Sequence, residues 1–407
     1  MALHPVHPEI DLLAGEFYAD DPHRHWTWMR ENAPVYHDAK NDVWALTRHA
    51  DVLAASKDTT SFSNARNGNR PHGQPLPMMI HMDDPAHLQR RKLVNRGFTP
   101  RRVRDNEVEV REICDGIIDR ICERGECDFV WDIAAPLPLI LIGNMLGFEQ
   151  SSYDDLLRWS DDMLKGTTSN NPSAALKARE AGIAFREYQM SVIADRRSNG
   201  LGDDLVSVLM QAEVDGHGLD DESLVMETLL ILIGGDETTR HVITGGMHAL
   251  LTHPEQRRKL SANFDGHIET AVEEMLRWVS PIKNMNRAVT RDVRFGDHQL
   301  HEGDQVLLMY ESANRDEAVF ADPFAFDIAR DPNHHLAFGF GAHFCLGNAL
   351  ARVELKVMFE RLLARLPDLE LASEDPLPVR PSNFIVGFEA MPVRFTPSAP
   401  LKTTPAG

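Results

Sequence analysis

Apolar positions along this chain recur mostly every three to four residues, the period of a helix that buries one face. That spacing predicts helices over about 85–96, 100–124, 138–146, 151–165 and 173–197, and again over 254–263, 267–279 and 346–365. The longest candidate runs from Asp220 to His253, opening on acidic capping residues and stopping before Pro254;. At 1.5 Å per residue it would reach about 50 Å, enough to cross the whole molecule. Strand-like stretches are few. PVYHDAKNDVWALT (34–47) reads as two short strands about a polar turn, with a short helix from about Ala50, and short strands recur within 285–309;. FSNARNGNRPHGQPLPM (62–78) predicts an irregular, mobile loop, 314–336 a Pro- and Asp-rich meander, and PSAPLKTTPAG (397–407) a disordered tail;. The expected fold is mainly helical with small β-sheets.

Composition narrows the class. The 407 residues allow two or three domains by length alone, but no long linker or repeat divides them, so 1–407 is read as one domain;. Forty-two basic against 62 acidic side chains leave a net charge of −20, which argues against a general binder of nucleic acid or of anionic membranes;. The N-terminus has neither a signal-peptide plan nor a membrane-spanning run, so the expected location is cytoplasmic, with no integral membrane segment;. Four cysteines, none in a C-x-x-C pattern, argue against disulfide stapling, a Cys-rich zinc site and covalently attached haem;.

The sharpest chemistry lies in HLAFGFGAHFCLGNALARVELKVMFERLL (335–363), where Gly339, Gly341 and Gly347 surround Cys345 just before a helix. A cysteine there meets the positive end of a helix dipole and unpaired N–H groups, which favour a thiolate. Taken alone it is better read as a buried apolar residue. In the long helix, LLILIGGDETTRHVITGGM carries adjacent glycines, Gly234 and Gly235, each costing about 1 kcal/mol relative to alanine;. Close helix packing would explain them as well as a functional groove would.

Both strings resemble cytochrome P450 motifs. Phe338, Gly339, Gly341, His343, Cys345 and Gly347 match the haem-binding signature Phe-Gly-x-Gly-x-His-x-Cys-x-Gly, and Gly234 to Thr238 resemble the distal-helix motif Ala/Gly-Gly-x-Asp/Glu-Thr. The resemblance implies haem b (iron protoporphyrin IX) with Cys345 as axial ligand, Phe338 and Gly347 beside it, and Glu237 and Thr238 supporting proton delivery during activation of O2;. It implies that His87, Arg91, Arg287 and His343 hold the haem propionates, and that Glu274, Arg277 and Arg330 form a structural ionic network. By family position the substrate pocket is expected to include Met78, Met79, Ile231, Gly235, Thr239, Val279, Ile282, Phe384, Ile385 and Val386. Each of these is about as well explained by core packing.

No dinucleotide or P-loop fingerprint is present, so electrons are expected from NAD(P)H through a separate ferredoxin reductase and ferredoxin;. The basic run Arg90, Arg91, Lys92, Arg96, Arg101, Arg102 and Arg104 is a candidate docking face, although such runs are usually just solvated;. A narrower resemblance extends outside the shared motifs, in the Thr-Thr-Arg-His run and in EEMLRWVSPIKNMNRAVTRD. These strings look like the actinobacterial steroid C26/C27-monooxygenases, which oxidise the side-chain terminal methyl of cholesterol or cholest-4-en-3-one to alcohol, aldehyde and acid. An apolar pocket would equally suit a branched fatty acid, a terpene or a polyketide. A non-catalytic haem sensor is a further reading, opposed by the intact acid–threonine pair.

Overall fold

The computed structural model describes residues 5–98, 100–167, 171–214 and 216–401. The side chains of Arg101, Arg102 and Arg104, and residues 402–407 of the expected tail, lie outside the described residues.

Eight helices frame the molecule: α1 (Ala86–Val94), α2 (Pro100–Ile121), α3 (Pro136–Leu146), α4 (Tyr153–Thr167), α5 (Pro172–Asn199), α6 (Asp221–Thr252), α7 (Phe264–Val279) and α8 (Asn348–Arg365). Their bounds follow the apolar period closely. The α6 helix starts where the Asp220 side chain accepts from the Ser223 N–H at 2.8 Å, and ends before Pro254;. It runs 32 residues through the interior, its apolar side chains sharing one core with α2, α3, α7 and α8. The stretch Phe129–Leu146 is apolar enough to cross a membrane by composition, yet 67% of it is buried inside this core.

The principal sheet is small. Strands β1 (Val35–Asp38), β2 (Val43–Leu46), β3 (Phe62–Ser63), β4 (Asn284–Val289) and β5 (Gln305–Met309) pair in the order β1-β2-β5-β4-β3. Only the β2–β5 pair is parallel. Alternation along β4 puts Met285 and Arg287 on one face, toward the helices, and Asn284 and Asn286 on the other;.

Elements that the apolar period did not reveal are short ones: helices Gly15–Ala19, His23–Asn32 and Leu205–Met210, and a π-helical turn at Phe129–Ala134. The 62–78 segment is irregular, as its composition predicts, but it is fastened rather than loose. Arg70 donates to Asn284 Oδ1 (2.8 Å) and Asn383 Oδ1 (2.9 Å), and the Asn286 N–H donates to Asn69 O at 3.1 Å.

Candidate active site

A cavity of about 1320 Å³, counted with the space at its open mouth, lies between α6 and the loop that precedes α8. Helical geometry selects its walls. On α6 the lining residues are Leu230, Ile231, Gly234, Gly235, Thr238, Thr239 and Val242, one stripe at three- and four-residue steps;. On α8 the same rule selects Leu350, Ala351, Glu354 and Leu355. Met285 and Arg287 enter from β4.

The Cys345 loop is shaped by its glycines. Gly339 and Gly341 take φ of 68° and 77°, and a Cβ on Gly341 would stand 2.5 Å from the Ser56 carbonyl oxygen;. The turn closes where the Cys345 N–H donates to Phe338 O at 2.9 Å, and Asn348 Nδ2 donates to Cys345 O at 2.7 Å. Burial pushes the Cys345 thiol up, while the Gly347 N–H, Arg91, Arg352 and the Asn348 N–H pull it down;. Burial outweighs these donors, so the thiol is held above its usual value.

Basic groups converge beside it. The His87 and His343 rings stack with centroids 4.0 Å apart, Arg91 donates to Phe344 O, and Arg287, 5% exposed, donates to its neighbour Asn286 O at 2.8 Å. Neither Arg91 nor Arg287 pairs with a carboxylate among the described residues. A guanidinium buried like that of Arg287, or half-buried like that of Arg91, is costly without an anionic partner, and the two fit a ligand that brings its own carboxylates;. A cysteine with N–H donors turned to its sulfur on one wall, arginines without carboxylate partners at its edge and an otherwise apolar lining form the donor set for haem. His87, Arg91, Arg287, Phe338, His343, Cys345 and Gly347 are all brought to this end of the cavity or its rim.

The distal acid stands elsewhere. Thr238 faces the cavity and its hydroxyl donates to Gly234 O at 2.9 Å, but Glu237 is fully buried on the adjoining face of α6. There it pairs with Arg240 and with Arg380 (3.1 Å), and its oxygen lies 3.5 Å from His241 Nε2. Burial alone would raise the Glu237 carboxyl, but Arg240, His241 and Arg380 outweigh it and hold it well below the usual carboxylate range;. At about 100° per residue the cavity stripe takes in Thr238 and Thr239, and Glu237 falls just beyond it;. Of the pair expected to support proton delivery, Thr238 lines the cavity and Glu237 does not.

Of the expected substrate contacts, Met79, Ile231, Gly235, Thr239 and Ile282 line the cavity. Met78, Val279, Phe384, Ile385 and Val386 are not among the lining residues. Val279 presses on Gly245 of α6, where a Cβ would come within 2.6 Å of it, and the Arg70 guanidinium covers Phe384 at 4.6 Å. Ile385 bridges to Ile282 by its backbone, Val386 packs into the N-terminal cluster with Leu12 and Trp26, and Met78 is buried just before lining residue Met79. Lining residues that sequence reasoning missed include Asn64, Phe98, Met285, Tyr310 and Glu354. Only the period of α8 and the alternation of β4 could have signalled any of them.

The Glu274–Arg277 pair is bidentate at 2.7 Å and wholly buried. Arg330 Nε adds a contact to Glu274 at 3.1 Å, and Arg277 donates to Asn314 O and Pro323 O, tying α7 to the meander.

The family model for cytochrome P450 matches residues 163–392. A steroid C26-monooxygenase of Mycolicibacterium smegmatis is 52% identical over 396 residues, covering 97% of this chain and 98% of that protein. The chain belongs to the cytochrome P450 family. A methyl-branched lipid omega-hydroxylase of Mycobacterium tuberculosis is 38% identical over 95% of each chain. Among solved structures, a Mycobacterium marinum cytochrome P450 in complex with pseudoionone superposes with a TM-score of 0.89 at 33% identity, covering 97% of this chain and all of that one. Membership of the P450 family implies haem iron, use of O2, external redox partners and an apolar substrate.

Proposed function

We propose that this protein is a steroid C26-monooxygenase, inserting one atom of O2 into the terminal methyl of a steroid side chain and carrying the product on to aldehyde and acid. The observation that carries the reading is the 52% identity, over nearly the full length, to a mycobacterial enzyme of that name. The apolar cavity supports it. When bound, the haem with its thiolate ligand supplies O2 activation and C–H oxidation.

The residues of this chain supply the rest. Cys345 is the thiolate ligand, with the Gly347 and Asn348 N–H groups turned to its sulfur. Arg91, Arg287, His87 and His343 take the two propionates as charge partners, and Phe338 packs at the ligand side. Thr238 offers a hydroxyl at the reacting end of the cavity, while Glu237 keeps its charge behind the wall and acts through its neighbours. Glu274, Arg277 and Arg330 hold the meander that carries the cysteine loop.

A primary C–H bond is stronger than the tertiary one beside it, so selectivity must come from holding the side chain end-on. Ile231, Gly235, Thr239, Ile282 and Met285 provide those walls. Electrons would come from NAD(P)H in the cytoplasm, through ferredoxin reductase and ferredoxin to one P450 domain spanning 1–407. Exposed Phe340 and Phe344, with Lys57 5.3 Å from the Phe340 ring and Arg91 bonded to Phe344 O, support a docking face for an acidic ferredoxin;. Arg90 contributes less, because it is bound to buried Glu227 at 2.9 Å.

The test is titration of the ferric protein with cholest-4-en-3-one, followed by product analysis. A saturable blue shift of the Soret band and a C26-oxygenated product are expected. An unresponsive spectrum, together with turnover of a methyl-branched fatty acid, would favour the second reading that the 38% identical omega-hydroxylase suggests.

A further inference from the structure

Far from the cavity, the N-terminal segment brings three metal-ligating side chains together. A turn in which the Ile10 N–H donates to His7 O at 3.2 Å carries His7 and Glu9, and the helix His23–Asn32 presents His25 to them. One ligand atom from each of the three lies within 4.8 Å of the others, and no other such group of three occurs among the described residues. Glu9 Oε2 stands 3.7 Å from His25 Nε2, and the His7 and His25 rings meet edge to face with centroids 5.0 Å apart. Around a zinc ion bound at about 2.1 Å, tetrahedral ligands sit about 3.4 Å from one another, so the Glu9–His25 spacing is already close to that of a bound ion.

A cation is drawn to this spot even without a metal. Arg24 Nε donates to His25 Nε2 at 3.1 Å while its Nη2 donates to Glu9 Oε2 at 3.4 Å, so one guanidinium bridges two of the ligand atoms. The Arg24 side chain is 69% exposed and that of Glu9 59%, which makes this a surface bridge that Arg24 can leave at little cost;. The frame behind it is firm. His25 is buried, its neighbour Trp26 donates from Nε1 to Glu311 Oε2 at 3.1 Å, the His7 N–H donates to the Tyr36 hydroxyl at 3.4 Å, and the Leu12 N–H donates to Asp38 Oδ2 at 2.9 Å. Two imidazoles and one carboxylate suit a borderline ion such as Zn2+, whereas Ca2+ and Mg2+ take oxygen ligands.

We propose that His7, Glu9 and His25 bind a divalent ion of the zinc class, with water in the fourth position and Arg24 displaced to solvent. The ion joins the N-terminal segment to the helix His23–Asn32 and so stabilises the folded chain by mass action. The segment it fastens also backs the cavity wall. Gly15 lies so close to Pro381 that a Cβ would stand 2.3 Å from the Pro381 carbonyl oxygen, and Asn383 Nδ2 donates to Leu13 O at 2.7 Å. The stretch held by these contacts bridges through Ile385 to Ile282, which lines the cavity. The site owes nothing to the steroid reading and stands whichever substrate is oxidised.

Calorimetric titration of the tag-free holoenzyme with zinc chloride tests the site. One equivalent should bind saturably and raise the melting temperature, and a chelator should reverse both. Glu9→Gln and His7→Gln, both away from the buried core, should weaken binding about ten-fold or more while leaving the haem spectrum unchanged. Arg24→Ala should act in the opposite direction, tightening binding about ten-fold because a competing positive charge is gone. A role confined to fold stability would give no such gain. X-ray absorption at the zinc edge, which the haem iron does not share, should show two imidazole ligands. The proposal is overturned by absence of saturable uptake, by uptake that Glu9→Gln and His7→Gln leave unaltered, by fewer than two imidazoles on the ion, or by weaker binding in Arg24→Ala.

Discussion

At the residue scale, the two side chains that carry the proposed chemistry have separable signatures. Cys345→Ala should lose the thiolate-type spectrum of the carbon monoxide complex, since no other cysteine lines the cavity among the described residues. Survival of that spectrum would overturn the ligand assignment. Thr238→Ala should leave sterol binding intact but send electrons to peroxide, lowering product per electron pair by about ten-fold or more. Unchanged coupling would remove Thr238 from proton handling. Cys345 and its glycines were legible in the sequence because a turn's chemistry is local: positive φ at Gly339 and Gly341 is a property of consecutive residues. The same locality misled for Phe384, Ile385 and Val386. A loop has no period, so sequence gives no rule for which side faces a cavity, and here Arg70 and the N-terminal cluster take those faces.

At the scale of elements, α6 separates two meanings of glycine. A Cβ on Gly246 would come within 3.0 Å of Met275 and Phe359, so that glycine serves the crossing of α6 with α7 and α8;. A Cβ on Gly234 would meet nothing within 4 Å, because the residue opens on the cavity. Gly234→Ala should therefore raise helix stability by about 1 kcal/mol, seen as a higher melting temperature. It should also weaken the sterol-induced spectral response by placing a methyl group over the site. A more stable variant with unaltered sterol affinity would mean that the space above Gly234 is not used by substrate. The bounds of α6 were readable from its period and caps, and that period could also have separated Glu237 from Thr238. The motif pairs them by adjacency, whereas the helix assigns them to different faces.

For the whole molecule, burial of acids without cations has a consequence for stability that runs opposite to the usual acid effect. Asp and Glu in an unfolded chain lose their protons near pH 4, whereas folded Asp236 and Glu354 keep theirs to about 7 and about 8;. Between those limits these two acids hold protons that the unfolded chain has lost, so their contribution to stability falls as pH rises from about 4 toward 8, while buried His23 and His241, held at about 4, contribute with the opposite sign up to about 6.5;. Glu273 contributes with the other sign. Burial would raise it, but His335 and Arg352 hold it at about 2, so its contribution is complete above the unfolded value and is lost as pH falls toward 2;. The two windows do not overlap, and melting temperatures of the holoenzyme can resolve them. Glu354→Gln should flatten the decline between pH 5 and 8, while Glu273→Gln should flatten only the acid limb. A decline above pH 5 that persists in both Glu354→Gln and Asp236→Asn would show that these acids ionise without cost.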